Sequence, residues 1–332
     1  MAEYTRRLPA EWERQRATLV SYPHEKSDWV EYLEEARDEF DEMIKAISDY
    51  QKVYVLCEKK DELLDRVGEM KNLEVLDVAT NDTWIRDYGV VSVYEDKKII
   101  PINFVFNGWG LKFAANLDNQ VNKNLLNLGV FEYLEVGGIV LEGGSIDSNG
   151  SGELLTTSRC LLEPNRNPHL SLKGIEKILK TKLGVKKIHT LSHGYLAGDD
   201  TDSHIDTLAR FVGEKSIVYV KCDDRDDEHY EELAKMEEEL QSLRDKDGEP
   251  FKLYALPMPK PMYHDGERLP ATYANFLIIN KAVLVPVYGC GSDEVALEVL
   301  SGVLRDRDII SIPSCTLIKQ HGSIHCSTMQ IY

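Results

Sequence analysis

The 332-residue sequence has no apolar run approaching the roughly 20 residues that cross a bilayer, which excludes a helical membrane-spanning protein. It has no CxxC pair. Cys57, Cys160, Cys222, Cys290, Cys315 and Cys326 lie far apart, which argues against a disulfide framework and for a reducing compartment. Cationic residues are also short: 39 Lys and Arg face 57 Asp and Glu, a formal net charge of −18, and no Lys/Arg cluster marks a nucleic-acid footprint. The acidic surplus favours a small cationic partner instead, because a carboxylate-lined cleft concentrates positive solutes. Charges at Glu3, Arg6, Arg7, Glu11 and Glu13 leave no apolar signal core, so a cytoplasmic protein is expected. With 42% hydrophobic residues and 12 prolines the chain can bury a large core, and neither disorder nor coiled coil fits.

Trp29, Tyr32, Leu33, Ala36, Phe40, Met43, Ile44 and Ile47 recur at helical spacing behind Ser27-Asp28, which predicts an amphipathic helix over 28–50, followed by a strand at 53–57. Further helix signals open near Asp61, Asn116, Ser171, Asp227 and Asp293, each followed by a short β-branched run. Those starts are 55, 55, 56 and 66 residues apart, as in a pseudosymmetric array of five α/β units. Chemically conspicuous residues follow a similar period: Asp87, Glu142, His204, His264-Asp265 and Cys326 are 55, 62, 60 and 62 residues apart. If each unit turns the same loop to a common axis, these residues converge on one polar, central site.

Taken singly, each motif has a plain structural explanation. Trp84 beside Asp87 can clasp a planar cation, through the indole face and through paired hydrogen bonds, but a surface Arg86–Asp87 pair over a core Trp84 fits as well. Gly108 and Gly110 allow tight turns around an exposed Trp109, or simply a core indole. Glu142 stands on a Gly-Gly turn of the kind that lets backbone approach a ligand. The polar segment 198–206 is no calcium loop, since counting from Asp200 puts Ile205 at the glycine position and Phe211 at the glutamate position. Read as a strand, His204-Ile205-Asp206 turns an imidazole and a carboxylate to one face. Cys326 sits among small residues six positions before the chain end; His325 would point away from it, leaving the distant His204 as the useful partner. The ligands of a zinc-dependent nucleobase deaminase are missing, because Cys315 is followed by Thr316, Leu317 and Ile318. A dinucleotide turn at 289–294 is opposed by Glu294 at its third glycine position.

In this order, Trp-Ile-Arg-Asp-Tyr-Gly (84–89), Asn-Gly-Trp-Gly (107–110), Glu-Gly-Gly-Ser (142–145), Asp-Asp-Thr-Asp-Ser-His-Ile-Asp (199–206) and Ser-Ile-His-Cys (323–326) resemble the agmatine deiminase family. That family belongs with the Porphyromonas-type peptidylarginine deiminases among the guanidine-modifying enzymes. The resemblance implies a five-bladed pseudosymmetric α/β propeller, the pentein fold, in which residues 1–332 form one catalytic domain. It also implies hydrolysis of agmatine to N-carbamoylputrescine and ammonia with no cofactor and no metal. By motif, Cys326 is the nucleophile, His204 the acid/base, and Asp87 and Asp206 hold the guanidinium. Trp84, Trp109 and Glu142 line the pocket. The acidic loop Asp199, Asp200 and Asp202 offers charge to the amine end of agmatine. Because carboxylates raise a thiol's pKa, the cationic substrate is expected to supply the charge that allows thiolate to form. A homodimer is expected, with no nucleic-acid or membrane partner.

Peptidylarginine is the competing substrate within the class, and a guanidinium- or polyamine-binding protein is the competing non-enzyme. Two positions depart from the family pattern. Tyr88-Gly89 follows Asp87 where Gly-Pro is common, and Ser203 precedes His204 where Gly is common.

Overall fold

The computed structural model describes residues 6–332; the first five residues, part of the charged N-terminus, lie outside the described residues. Five sheets repeat one connection, in which an antiparallel pair is followed by a helix and then by a strand parallel to the second. In the first unit Thr328–Ile331 pairs with Ala17–Ser21, and helix Leu33–Tyr50 leads to Lys52–Leu56. In the second, Lys98–Val105 passes through Val121–Asn127 to Glu135–Val140. The third runs from Glu153–Thr157 through Leu172–Leu183 to Lys187–Leu191, and the fourth from Ser216–Lys221 through Tyr230–Ser242 to Lys252–Pro257. In the fifth, Ala282–Val287 passes through Ser292–Val303 to Asp308–Pro313. A parallel neighbour cannot be reached by a tight turn, so each unit needs a crossover, and its helix covers a sheet face. Strands covered on both faces lose their alternation, and all five residues of Ala17–Ser21 and of Glu153–Thr157 are buried.

The helix signals are placed well, with one difference of meaning. Ser171 caps its helix, its hydroxyl accepting from the Gly174 N–H at 3.3 Å, and Gly184 ends that helix in the left-handed region at φ 68°. The helix signalled near Asp61 exists as Lys60–Val67, but it leads to an extra fourth strand, Leu73–Leu76, on the first sheet. The crossover helix of that unit is Leu33–Tyr50, which buries Ala36, Phe40, Met43, Ile44 and Ile47. It starts five residues later than its apolar spacing suggests. Trp29 is drawn into the core with its indole N–H donating to Thr83 Oγ1 at 3.1 Å, and a 3-10 turn at Val30–Tyr32 intervenes.

The repeat fails at His264-Asp265. These residues sit on a small separate hairpin, Tyr263–His264 with Glu267–Arg268, where the His264 ring meets Tyr32 edge-on at 5.8 Å. Neither takes part in the site described next. The other four members of that series stand on turns flanking the sheets: Asp87 in the short helix Ile85–Tyr88, Glu142 before the turn Gly143–Ser145, His204 before the turn Ile205–Thr207, and Cys326 just ahead of Thr328–Ile331.

Candidate active site

Gly144 marks the point of convergence. A Cβ added there would lie 2.6 Å from His204 Nδ1, 2.9 Å from Asp87 Oδ1 and 3.0 Å from Asp206 Oδ2, so three side chains from two distant segments press on one bare backbone position. The Gly144 N–H donates to Asp87 Oδ1 at 2.9 Å, and the Trp109 indole N–H donates to Asp87 Oδ2, also at 2.9 Å. Any side chain at 144 must displace the groups that the turn exists to hold. Gly144→Ala is therefore expected to lower kcat/KM by about 10²-fold or more, because a shift of about 1 Å in reacting groups costs that much. Unchanged turnover in a variant that melts like the parent would show that the turn tolerates a methyl group.

His204 is fully buried, with Nδ1 3.6 Å from Asp87 Oδ1 and Nε2 3.5 Å from Glu142 Oε2. Burial opposes its charge, but Asp87, Cys160 and Glu142 outweigh that and lift it well above the ordinary imidazole range. Glu142 is held below its usual range despite burial, by His204 and by the Arg166 Nε, which donates to both of its oxygens at 2.7 and 2.9 Å. Glu142, Cys160 and His204 bring three possible metal-ligand atoms within 4.8 Å of one another. The Arg166 guanidinium already occupies the cationic position beside Glu142, and a metal ion would be a second positive charge there.

The segment carrying His204 and Asp206 is a 3-10 turn, Ile205–Thr207, rather than the expected strand. The two side chains nevertheless meet at Gly144. Ser203 and Asp202 hold φ of 66° and 68°, the left-handed region that glycine favours, which is the physical reason glycine is common before His204 in the family pattern and makes Ser203 the less favoured choice. Asp206 is fully buried. Its Oδ2 lies 2.7 Å from His325 Nδ1, whereas its Oδ1 has no protein partner.

Cys326 is 5% exposed at the floor of a narrow cleft that is also lined by Asp87, Trp84 and Trp109. The Cys326 S–H points to Asp206 Oδ2 at 3.7 Å, while Asn275 Nδ2 donates to the sulfur at 3.1 Å. Burial, then Asp206 and Asp87, push the thiol well above its ordinary pKa. Asp28, Asp82 and Asp200 line the same cleft. Burial raises Asp82 to about 7 and Asp200 to about 6, with Asp28 and Asp199 adding respectively.

Several expectations need correction. Asp202 is not in the cleft lining; it is paired with Arg166 at 2.7 Å and with Lys112 at 2.7 Å, so its charge is already compensated. Glu142 lies behind His204 rather than on the pocket wall. Trp109 is not an exposed indole but is 6% exposed, wedged edge-on against Phe106 and Phe113. Arg86 and Asp87 form no surface pair: both are buried, and Arg86 donates to the His325 carbonyl at 3.2 Å and to Gln330 Oε1 at 2.5 Å. His325 was expected to point away from the thiol; instead its Nδ1 contacts Asp206 Oδ2, the same oxygen that the thiol faces, and its Nε2 lies 2.8 Å from Glu11 Oε2, so it joins Asp206 to Glu11. The sequence reading missed Asn275, Glu11, Asp28 and Asp82. A polar Asn275 inside the apolar stretch 273–279 was the only signal among them.

Residues 7–331 match the family model described as Porphyromonas-type peptidyl-arginine deiminase. The chain belongs to that family. It is 31% identical over 348 residues to the agmatine deiminase of Stutzerimonas stutzeri, covering 97% of this chain and 94% of the relative. It is 42% identical to the structure of C. jejuni agmatine deiminase with substrate bound, with a TM-score of 0.95 and coverage of 100% and 98% of the two chains. A structure of dimethylarginine dimethylaminohydrolase, 12% identical with a TM-score of 0.55 over 96% of this chain and 100% of that one, shares the fold alone. The mixed α/β architecture is thus that of the pentein enzymes.

Proposed function

We propose that this family member is an agmatine deiminase, hydrolysing agmatine to N-carbamoylputrescine and ammonia through a covalent amidino-cysteine on Cys326. The observation that carries this is the cleft itself. A thiol lies at its floor against Asp206, four aspartates and two indoles line it, and among the described residues its lining holds no Lys or Arg side chain. The agmatine deiminases to which the chain is similar over nearly its whole length support the same substrate. Free arginine would bring a carboxylate that these walls repel.

A guanidinium is resonance-stabilised and stays protonated, so its carbon resists attack until it is gripped and a strong nucleophile is aimed at it. Asp87 and the unpartnered Oδ1 of Asp206 take opposite N–H edges. The cation's charge favours loss of the Cys326 proton to solvent, and the thiolate forms an S–C bond to the guanidinium carbon. His204 gives its proton to the departing nitrogen, the C–N bond breaks, and ammonia leaves behind an amidino-cysteine. Neutral His204 then takes a proton from water attacking the same carbon. The S–C bond breaks, returning the thiolate, while the remaining hydroxyl proton passes to solvent as the C=O of the carbamoyl product forms. Glu142, anchored by Arg166, keeps His204 oriented and charged. Asp28, Asp82 and Asp200 face the far ammonium.

The five units form a closed five-bladed propeller of one domain. The pairing of Thr328–Ile331 with Ala17–Ser21, from opposite ends of the chain, supports that closure. A cytoplasmic homodimer belongs to the same proposal.

Assaying ammonia from agmatine, free arginine and an arginyl peptide side by side tests the substrate. Agmatine is expected to exceed the others by about 10²-fold or more in kcat/KM, since a misplaced or unpaired charge in a buried site costs several kcal/mol. No ammonia from agmatine would overturn the proposal. The pH profile should lie on the alkaline side of neutrality. Below about pH 7 Asp82, and below about pH 6 Asp200, gain protons and lose attraction for the ammonium, so KM should rise as pH falls. With the thiol and His204 both raised, kcat should climb through neutrality and fall only when His204 deprotonates. An optimum below pH 6 would contradict these assignments.

A further inference from the structure

We infer that Asn275 is a catalytic residue that holds the Cys326 sulfur as thiolate and fixes its aim. Its carboxamide spans the nucleophile's own residue: Nδ2 donates to Cys326 Sγ at 3.1 Å while Oδ1 accepts from the Cys326 N–H at 3.2 Å. The orientation of the amide is dictated by chemistry. A backbone N–H can only donate, so Oδ1 must face it and Nδ2 must face the sulfur. The scaffold around it is closed, because Asn275 is 1% exposed and its own carbonyl accepts from the His325 N–H at 3.1 Å. Both ends of the contact are thereby tied to the 325–326 backbone, and the sulfur has little freedom to swing.

The need for such a donor follows from the charges around the sulfur. The acids acting on it are Asp206 at 3.7 Å and Asp87, and both disfavour a thiolate; His325 lies against the same Asp206 oxygen, and His204 Nδ1 lies 3.6 Å from Asp87. The backbone of Ser323 also favours the thiolate, but Asn275 is the neutral side chain that donates to it. Its Nδ2 also lies 3.3 Å from Asp206 Oδ2, so the same amide nitrogen reaches both the sulfur and the carboxylate that the thiol faces. A hydrogen bond to a charged acceptor is stronger than one to a neutral acceptor, so this contact strengthens as the thiol ionises and as charge remains on sulfur during attack.

The inference rests on Cys326 being the nucleophile, but its test is independent of turnover. The rate of alkylation of Cys326 by iodoacetamide, followed by peptide mass mapping to separate it from the exposed Cys315, is measured against pH in the free protein. Asn275→Ala is expected to raise the apparent thiol pKa by about one unit or more. It should also cut kcat for agmatine about 10- to 100-fold with KM changed less than about threefold. Asn275→Asp keeps the acceptor for the Cys326 N–H but replaces the donor by a negative charge, and should raise the thiol pKa further. It also serves as the test should the alanine variant not fold. A Cys326 titration identical to that of the parent in a folded variant overturns the inference, whatever happens to kcat, since a merely structural amide would leave the thiol unchanged. Failure of the parent to release ammonia from agmatine would instead overturn the proposed function and leave this titration intact.

Discussion

Cys326→Ala is expected to abolish ammonia release from agmatine, with kcat falling by about 10⁴-fold or more. The sulfur is the one group at the floor of the cleft that can form a bond to the guanidinium carbon. Among the described residues the other candidate nucleophiles lining the cleft are engaged elsewhere: the Thr207 hydroxyl donates to the His204 carbonyl at 2.9 Å, the Thr201 hydroxyl to Asp199 Oδ1 at 2.5 Å, and His321 Nδ1 bonds the Gly198 carbonyl at 2.6 Å. Binding should survive, because Asp87, Asp206 and the mouth aspartates remain, and removing the thiol removes none of their charge. Calorimetric titration with agmatine and a stopped ammonia assay on the same preparation give both quantities. The binding-protein alternative makes the opposite forecast, no ammonia from the parent either. A residual kcat within tenfold of the parent would mean that the carbon is attacked by something else.

His204→Asn should lower kcat by about 10³-fold, the usual worth of a positioned acid/base. Part of the effect is proton transfer to the departing nitrogen and from the attacking water. A second part is electrostatic. The imidazolium lies between Asp87 and Glu142, and without it Asp87 loses the group that most opposes its burial-driven rise. Asp87 should then protonate more readily and grip the guanidinium less well, so KM should rise along with the fall in kcat. The alkaline limb of kcat should disappear with the group that titrates there. Folded stability should become less sensitive to alkali as well. A group whose pKa is raised on folding contributes fully below its unfolded value and loses that contribution as pH rises through the folded one, and His204 is such a group. A preserved alkaline limb in this variant would assign it to another residue.

The candidate site was legible in the sequence through the order of several short motifs and the family that they resemble, not through any one of them. The Gly-Gly turn after Glu142 is weak as a lone motif, and the structure supplies the reason for its second glycine: a side chain at 144 would occupy the space of His204, Asp87 and Asp206. The crossover helices were legible more directly, since Ser171 and Gly184 are local capping chemistry and the buried face of Leu33–Tyr50 is written in its spacing. The period was less secure. It matched four crossover units but took Lys60–Val67 for the first of them and drew in His264, because periodicity cannot tell a unit helix from an appended one. The role of Asp202 was not legible either: its charge looks available until Arg166, 36 residues away, is found to claim it.

Short ordered motifs, and the family that they resemble, thus named a candidate thiol, imidazole and pair of carboxylates and the class of cation that they suit. Tertiary structure alone decided which acids remain free for that cation, which are neutralised by buried arginines, and that Asn275 meets a sulfur 51 residues away. The physical reason is that a charge or a hydrogen-bond donor acts through space over a few ångströms, and those distances exist only once remote segments have packed.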